Sequence, residues 1–145
     1  MTVTRGVLWD CGAILPLLDA NDADHGRAVQ VARQIAAARR PSFITSYIEV
    51  EAHALLLRKL GRMLAREWLL TGGLPVVRAL RAEEDRAREI IARHSDKNWS
   101  LCDTISFALL GGSWGSSRVY VRSTLPAVQP DRSIGLGWVI AAKLV

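Results

Sequence analysis

The sequence has few of the residues that hold small or secreted domains together. It contains only two cysteines among 145 residues, too few for a disulfide framework, and their spacing matches no zinc site. No apolar run approaches the roughly 18 residues that a membrane span needs, so we expect no membrane association. The start, MTVTRGVLWD, has no long apolar segment after a basic one. We therefore expect no signal peptide and a cytoplasmic location.

Common catalytic motifs are absent as well. No HExxH, GxxxxGK or GxGxxG pattern occurs, which excludes zinc proteases, P-loop enzymes and dinucleotide-binding folds in their usual forms. Of the three histidines, His25 is predicted to begin a helix, His53 to lie on the polar side of one, and His94 to close a charged helix. The histidines thus indicate no active site.

The two cysteines each adjoin an acid in the sequence. Cys11 follows Asp10, and Cys102 precedes Asp103, so a fold that gathers the acids would bring the cysteines near each other. A catalytic thiol is disfavoured because no histidine stands near either cysteine. We interpret both as small buried side chains.

Composition is that of one globular domain, with 50% hydrophobic and 23% charged residues. The net charge of +5 and the pI near 9.9 favour a polyanionic partner, since phosphate contacts supply most nonspecific affinity for nucleic acid.

Short apolar strands alternate with amphipathic helices along the chain. Alternation of this kind predicts an α/β fold with a parallel sheet covered on both faces, and in such folds ligands bind at the carboxyl ends of the strands. The predicted strands are VLWD, SFITS and LPVVRAL. The predicted helices are CGAILPLLDA, DADHGRAVQVARQIAAARR, YIEVEAHALLLRKLG, MLAREWLL, RAEEDRAREIIARHS and SLCDTISFALL.

The first candidate acid, Asp10, stands where the first strand should end. This is the expected place for a site residue in a parallel sheet. An aspartate that caps the following helix is the alternative interpretation.

Helical geometry separates two glutamates in the middle of the chain. Ser46 and Glu49 fit a capping box, which predicts a structural role for Glu49. Glu51 shares a helix face with Ile48 and Ala52, so it should point toward the apolar side. A carboxylate there needs a cation or hydrogen bonds to compensate its burial, and Glu51 is therefore a candidate metal ligand.

Asp103 also has two interpretations. Ser100 and Asp103 fit a second capping box. The functional interpretation joins Asp103 to Asp10 and Glu51, because three clustered carboxylates repel one another unless a divalent cation lies among them. Hard oxygen ligands of this kind suit Mg²⁺ or Mn²⁺.

These pieces together resemble a PIN-domain ribonuclease, specifically the VapC-like toxins of toxin–antitoxin pairs. The resemblance rests on VLWDCGAILPLLDANDADHGRA, ITSYIEVEAHALLLRKLG and SDKNWSLCDTISFALL, spread over the first three quarters of the chain. It implies a three-layer α/β/α sandwich in which Asp10, Glu51 and Asp103 bind Mg²⁺ or Mn²⁺ and hydrolyse RNA. It also implies a cognate antitoxin and a homodimer. Cys11 and Gly12 replace a hydroxyl-bearing pair usual in the family.

The chain changes character at Gly111, so we divide it into a PIN-like part, residues 1–110, and an atypical segment, residues 111–145. PIN-like chains normally continue here with a strand and a fourth acid, in a phrase resembling TFDRHF, and this chain does not. We predict that the segment is translated out of its ancestral frame. Codons for VRSTLPAVQP (GTT CGA TCG ACA CTT CCG GCA GTA CAG CCC), read from their second base, give FDRHFRQYS.

The shift has structural consequences. The same frame allows AGDRRAFTF in place of SWGSSRVYV, so it covers the whole expected ending. The fourth acid is lost, and Arg122 is encoded at its place. The alternating pattern of SRVYVRS predicts a strand that docks where the missing one belongs. The residues after it should pack poorly, and metal binding and nuclease activity should be weakened.

Two other functions compete with the nuclease. One is a catalytically weak or inactive PIN-like module that still binds RNA or an antitoxin. The other, a phosphatase or phosphotransferase with Asp10 as nucleophile, lacks the usual second aspartate, because Gly12 stands at that position.

Overall fold

The computed structural model describes residues 6–72, 74–111 and 118–121. Most of the predicted atypical segment, including Arg122 and the poorly packing end, lies outside this range. Within the described ranges, no helix combines the length and apolar character required to cross a membrane.

Four parallel strands form the described sheet, in the order β3–β2–β1–β4. Their bounds are β1 Gly6–Trp9, β2 Ser42–Thr45, β3 Val76–Val77 and β4 Arg118–Val121. The sequence predicts the first three, although β3 is shorter than its apolar run because it pairs only with β2 at the sheet edge. β4 confirms the strand predicted within SRVYVRS, and it pairs with β1 from Gly6–Arg118 to Trp9–Val121.

The helices lie where the apolar periodicity predicts them. They are α1 Cys11–Leu18, α2 His25–Ala37, α3 Ser46–Leu60, α4 Arg62–Glu67, α5 Arg81–Arg93 and α6 Leu101–Gly111, with a π-helical turn over Trp68–Gly72. Gly61 ends α3 at a φ of 88°, a left-handed conformation that glycine adopts without a Cβ clash. The chain can therefore turn at once into α4.

Burial explains why these segments pack into layers. β1 is continuously apolar because both of its faces are covered: Val7 and Leu8 are fully buried, and the Trp9 Nε1–H donates to Ser42 Oγ on β2 at 2.9 Å. On one side, α1 contacts α2 and α3, and α3 packs on β2 and β3. α5 contacts α6, which reaches β4, and this pair has its own small core of Ala87, Ile105 and Ala108.

Candidate active site

Asp10 lies at the junction of β1 and α1. The strand ends at Trp9, and Asp10 is the N-cap of the helix that follows directly, with its Oδ2 accepting from the Gly12 backbone N–H at 3.2 Å. The side chain is buried, with 6% of its surface exposed. Capping thus occurs as the structural interpretation predicts, and it holds the carboxylate at the carboxyl end of the central strand.

Asp103 is the third residue of α6 and forms the predicted capping box. The Ser100 backbone N–H donates to Asp103 Oδ2 at 2.9 Å, and the Asp103 N–H donates to Ser100 Oγ at 3.1 Å. Asp103 is buried, at 9% exposure. Asp10 at the N-cap of α1 and Asp103 in the first turn of α6 thus both lie at a helix N-terminus, where the helix dipole stabilises negative charge.

The predicted capping box at the start of α3 is wrong by one residue. Thr45 is the N-cap, and its Oγ1 accepts from the Ile48 N–H at 3.1 Å. Ser46 is already the first helical residue, because the extended conformation of β2 continues through Thr45. Glu49 therefore lies one position beyond the capping-box glutamate, and its side chain is half-buried.

Glu51 is exposed, contrary to the prediction that it points to the apolar side of α3. Its helix neighbours Ile48 and Ala52 are buried, so Glu51 lies at the border of the apolar face. Its charge nevertheless raises the pKa of the Cys11 and Cys102 thiols, so its carboxylate lies near both. Glu51 on α3 is therefore in the neighbourhood of the starts of α1 and α6.

The two cysteines lie together, as predicted from their acidic neighbours. Burial raises the pKa of the Cys11 thiol, and the charges of Asp10, Glu51 and Asp103 raise it further. Burial likewise raises the pKa of Cys102, with added contributions from Glu51, Asp10 and Cys11. Both residues are half-buried, not fully buried as the sequence predicts, but their thiols are kept protonated, which disfavours a nucleophilic cysteine.

The negative charges of all three candidate acids, Asp10, Glu51 and Asp103, raise the pKa of one thiol, that of Cys11. The three acids come from separate elements. Among residues 6–72, 74–111 and 118–121, no group of three His, Cys, Asp or Glu side chains is arranged so that it could hold a metal ion. The three carboxylates are oxygen donors of the kind that a hard cation binds, but Asp10 and Asp103 each direct one oxygen to a helix cap, and Glu51 is exposed.

Sequence analysis missed an aromatic group beside Asp103. Trp99 lies 5.4 Å from His94 and 5.2 Å from Phe107, measured between ring centroids. Trp99 and His94 precede α6, so the apolar periodicity of that helix does not predict their contact. The only signal in the sequence was a large aromatic residue directly before the N-cap Ser100.

No protein-family model and no curated protein matches this chain. Among solved structures, the fold is similar to that of VapC20 from Mycobacterium tuberculosis, a toxin that cleaves the sarcin-ricin loop. The two chains are 24% identical, with a TM-score of 0.61, and the match covers 74% of this chain and 83% of VapC20. The likeness shows the fold: α/β and PIN-like, with helices on both faces of a central parallel sheet.

Proposed function

We propose that this protein is a metal-dependent endoribonuclease and the toxin of a toxin–antitoxin pair. The observation that carries the proposal is the pair of buried, capped aspartates, Asp10 at the carboxyl end of β1 and Asp103 at the start of α6, with Glu51 near enough for all three charges to raise the pKa of the Cys11 thiol. In a parallel α/β sheet this edge is where ligands bind. The PIN-like fold and its likeness to an RNA-cleaving toxin support the reaction type.

The three carboxylates fit Mg²⁺ or Mn²⁺ by their chemistry. Asp10 and Asp103 are buried, and the charge of Glu51 acts on the same thiol as theirs, so the three carboxylates repel one another and a divalent cation would offset that repulsion. Carboxylate oxygens are the ligands that these hard cations prefer. Asp10, Glu51 and Asp103 would therefore hold the ion, which when bound supplies an activated water and stabilises charge on the phosphate.

The protein's own contribution is to position these acids. Backbone N–H groups fix Asp10 and Asp103 from two different helix starts, which limits the entropy lost when they bind a ligand. Glu51 is exposed and lies at the border of the apolar face of α3, so it is the acid that can reorient toward a cation.

The partners follow from charge and fold. A chain with a net charge of +5 attracts RNA at long range, and this attraction falls as salt rises. By its resemblance to VapC-like toxins, we propose that it acts in the cytoplasm as a homodimer and that a cognate antitoxin inhibits it.

One observation favours a second candidate, a catalytically weak module that binds RNA or the antitoxin. Cys11 and Cys102 lie near the acids that raise the pKa of their thiols, and neither they nor Gly12 offers the hydroxyl usual in the resembled family. Such a protein would bind its partners but cleave RNA slowly or not at all.

Cleavage of a single-stranded RNA in Mn²⁺ or Mg²⁺ distinguishes the two candidates. We expect cleavage that EDTA stops and that Asp10→Asn abolishes, because the substitution removes one anionic ligand and keeps an oxygen for the α1 cap. Glu49→Gln is the matched control, a neutralised carboxylate on α3 outside the cluster, and should cleave like the parent. Equal cleavage by Asp10→Asn, or none by the parent, would refute the nuclease.

A further inference from the structure

Trp99 is held at the entrance to α6 in a fixed orientation. The Phe107 ring meets it at 78°, edge to face, and the His94 ring lies across it at 52°. His94 is itself anchored, because its Nδ1–H donates to the Ile90 carbonyl oxygen at 2.9 Å. The Trp99 ring is therefore positioned before any ligand arrives.

The aromatic group of Trp99, His94 and Phe107 lies next to Asp103, the candidate catalytic acid. The Ser100 N–H that donates to Asp103 Oδ2 at 2.9 Å belongs to the peptide bond between Trp99 and Ser100. Phe107 lies one helical turn after Asp103 on the same side of α6. The Trp99 ring, which packs on Phe107, is therefore on the same part of α6 as Asp103.

Trp99 is also accessible and retains bonding capacity. It is half-buried, whereas His94 and Lys97 are exposed. Within the described part of the chain, its indole N–H has no hydrogen-bond acceptor. A core tryptophan normally pairs that group, so Trp99 is placed as a surface that can receive a flat ligand.

We propose that Trp99, supported by His94, stacks on a nucleobase of single-stranded RNA next to the bond that is cut. The proposal rests on the proposed nuclease function and adds how the substrate is held. Stacking on aromatic rings is how many proteins bind single strands with little sequence preference, because every base has a π-face.

The charges near the ring suit an RNA strand in part. Lys97 and Arg93 are exposed and can approach the backbone. Each is already paired, Lys97 with Asp96 at 3.0 Å and Arg93 with Glu89 at 3.8 Å. Exposed pairs of this kind are weak and exchange readily, so phosphate can compete with them. Stacking should nevertheless dominate the local contribution.

The test measures binding without catalysis. Fluorescence anisotropy of labelled oligoadenylate and oligouridylate is followed in EDTA, for the parent, Trp99→Leu and Trp99→Phe. We expect Trp99→Leu to weaken oligoadenylate binding about tenfold, within the range for loss of one base stack, and Trp99→Phe to stay within about threefold. The preference for adenine over uracil should shrink in Trp99→Leu, because the larger base stacks better.

Controls separate stacking from folding. Met63→Ala removes exposed apolar surface from α4, which α3 places about 20 Å from the carboxyl edge of the sheet, and should bind like the parent. Melting temperatures check that each variant is folded. Cleavage in Mn²⁺ is measured on the same variants, so loss of cleavage and loss of RNA binding are determined separately.

Three results would overturn the inference: unchanged binding by Trp99→Leu, equal losses in Trp99→Leu and Trp99→Phe, or an unchanged base preference. If RNA is cleaved but these results appear, the nuclease stands and the stacking role fails. If Trp99 governs RNA binding but no cleavage occurs, the stacking role stands and the nuclease fails.

Discussion

Replacing Asp103 by Asn should weaken metal binding more than folding. The amide oxygen of Asn can still accept from the Ser100 N–H, now 2.9 Å from Asp103 Oδ2, so most of the capping box survives. Loss of the negative charge forfeits about 0.3–1 kcal/mol of interaction with the helix dipole. Relief of repulsion from Asp10 and Glu51 offsets part of it. We expect the free energy of unfolding in EDTA to fall by about 1 kcal/mol or less.

The effect on metal affinity is larger. Two unit charges 4 Å apart interact by about 4 kcal/mol at an effective dielectric constant of 20. The net gain from binding the cation is smaller, because both charges lose hydration. Even half of this interaction corresponds to a loss of about thirtyfold in affinity. At a Mn²⁺ concentration about 100 times the parent's Kd, the parent gains about 2.7 kcal/mol of stability, whereas a variant thirtyfold weaker gains about 0.9 kcal/mol.

Urea unfolding with EDTA and with Mn²⁺ measures both effects on the same samples. Ser100→Ala is the matched control, because it removes the other half of the capping box and leaves the carboxylate in place. It should lower stability by about 1 kcal/mol and keep the Mn²⁺ response. A large loss of stability in Asp103→Asn with an unchanged Mn²⁺ response would refute the metal role and leave Asp103 as a cap.

Three further predictions follow from the sequence and the described structure. Because the pKa of each cysteine thiol is raised above its ordinary value of 9.0, both thiols should react slowly with iodoacetamide near pH 8 in EDTA, and fast alkylation of the folded chain would contradict this. The free energy of unfolding should also fall as the pH rises above about 9, because the thiols of the unfolded chain lose their protons first. Thr45→Ala should lower the free energy of unfolding in urea by about 1–2 kcal/mol, because Thr45 is fully buried and caps α3. Thr45→Ser keeps the capping hydroxyl and should lower it less, and equal losses in the two variants would assign the effect to the methyl group. The gene's nucleotide sequence from codon 111, read one base later, should encode a phrase close to AGDRRAFTFDRHFRQYSP, and a chain with that ending should bind Mn²⁺ more tightly; an unrelated shifted frame would refute the frameshift.

Much of the fold could be predicted from local patterns. β1 followed by Asp10 and α1 is a short apolar run, an acid and an amphipathic segment, and each step has its own signal. The capping box of Ser100 and Asp103 needs only residues three apart, so sequence identified it correctly. The strand Arg118–Val121 was predicted from its alternation of polar and apolar residues.

The errors arose where two local signals compete. Thr45 and Ser46 are both good N-caps, and only the length of β2 decides between them. The orientation of Glu51 depends on how α3 rolls against α1, which periodicity leaves uncertain by about one position. The contact of Trp99 with His94 and Phe107 spans a loop, and no repeat in the sequence predicts such contacts.

The most direct test of the account is a crystal of the protein soaked in Mn²⁺, with anomalous scattering recorded at the manganese edge. We predict one strong peak among Asp10, Glu51 and Asp103, with carboxylate oxygens about 2.1–2.2 Å away. A manganese peak elsewhere, or none in this cluster with all three carboxylates visible in the electron density, would contradict the account.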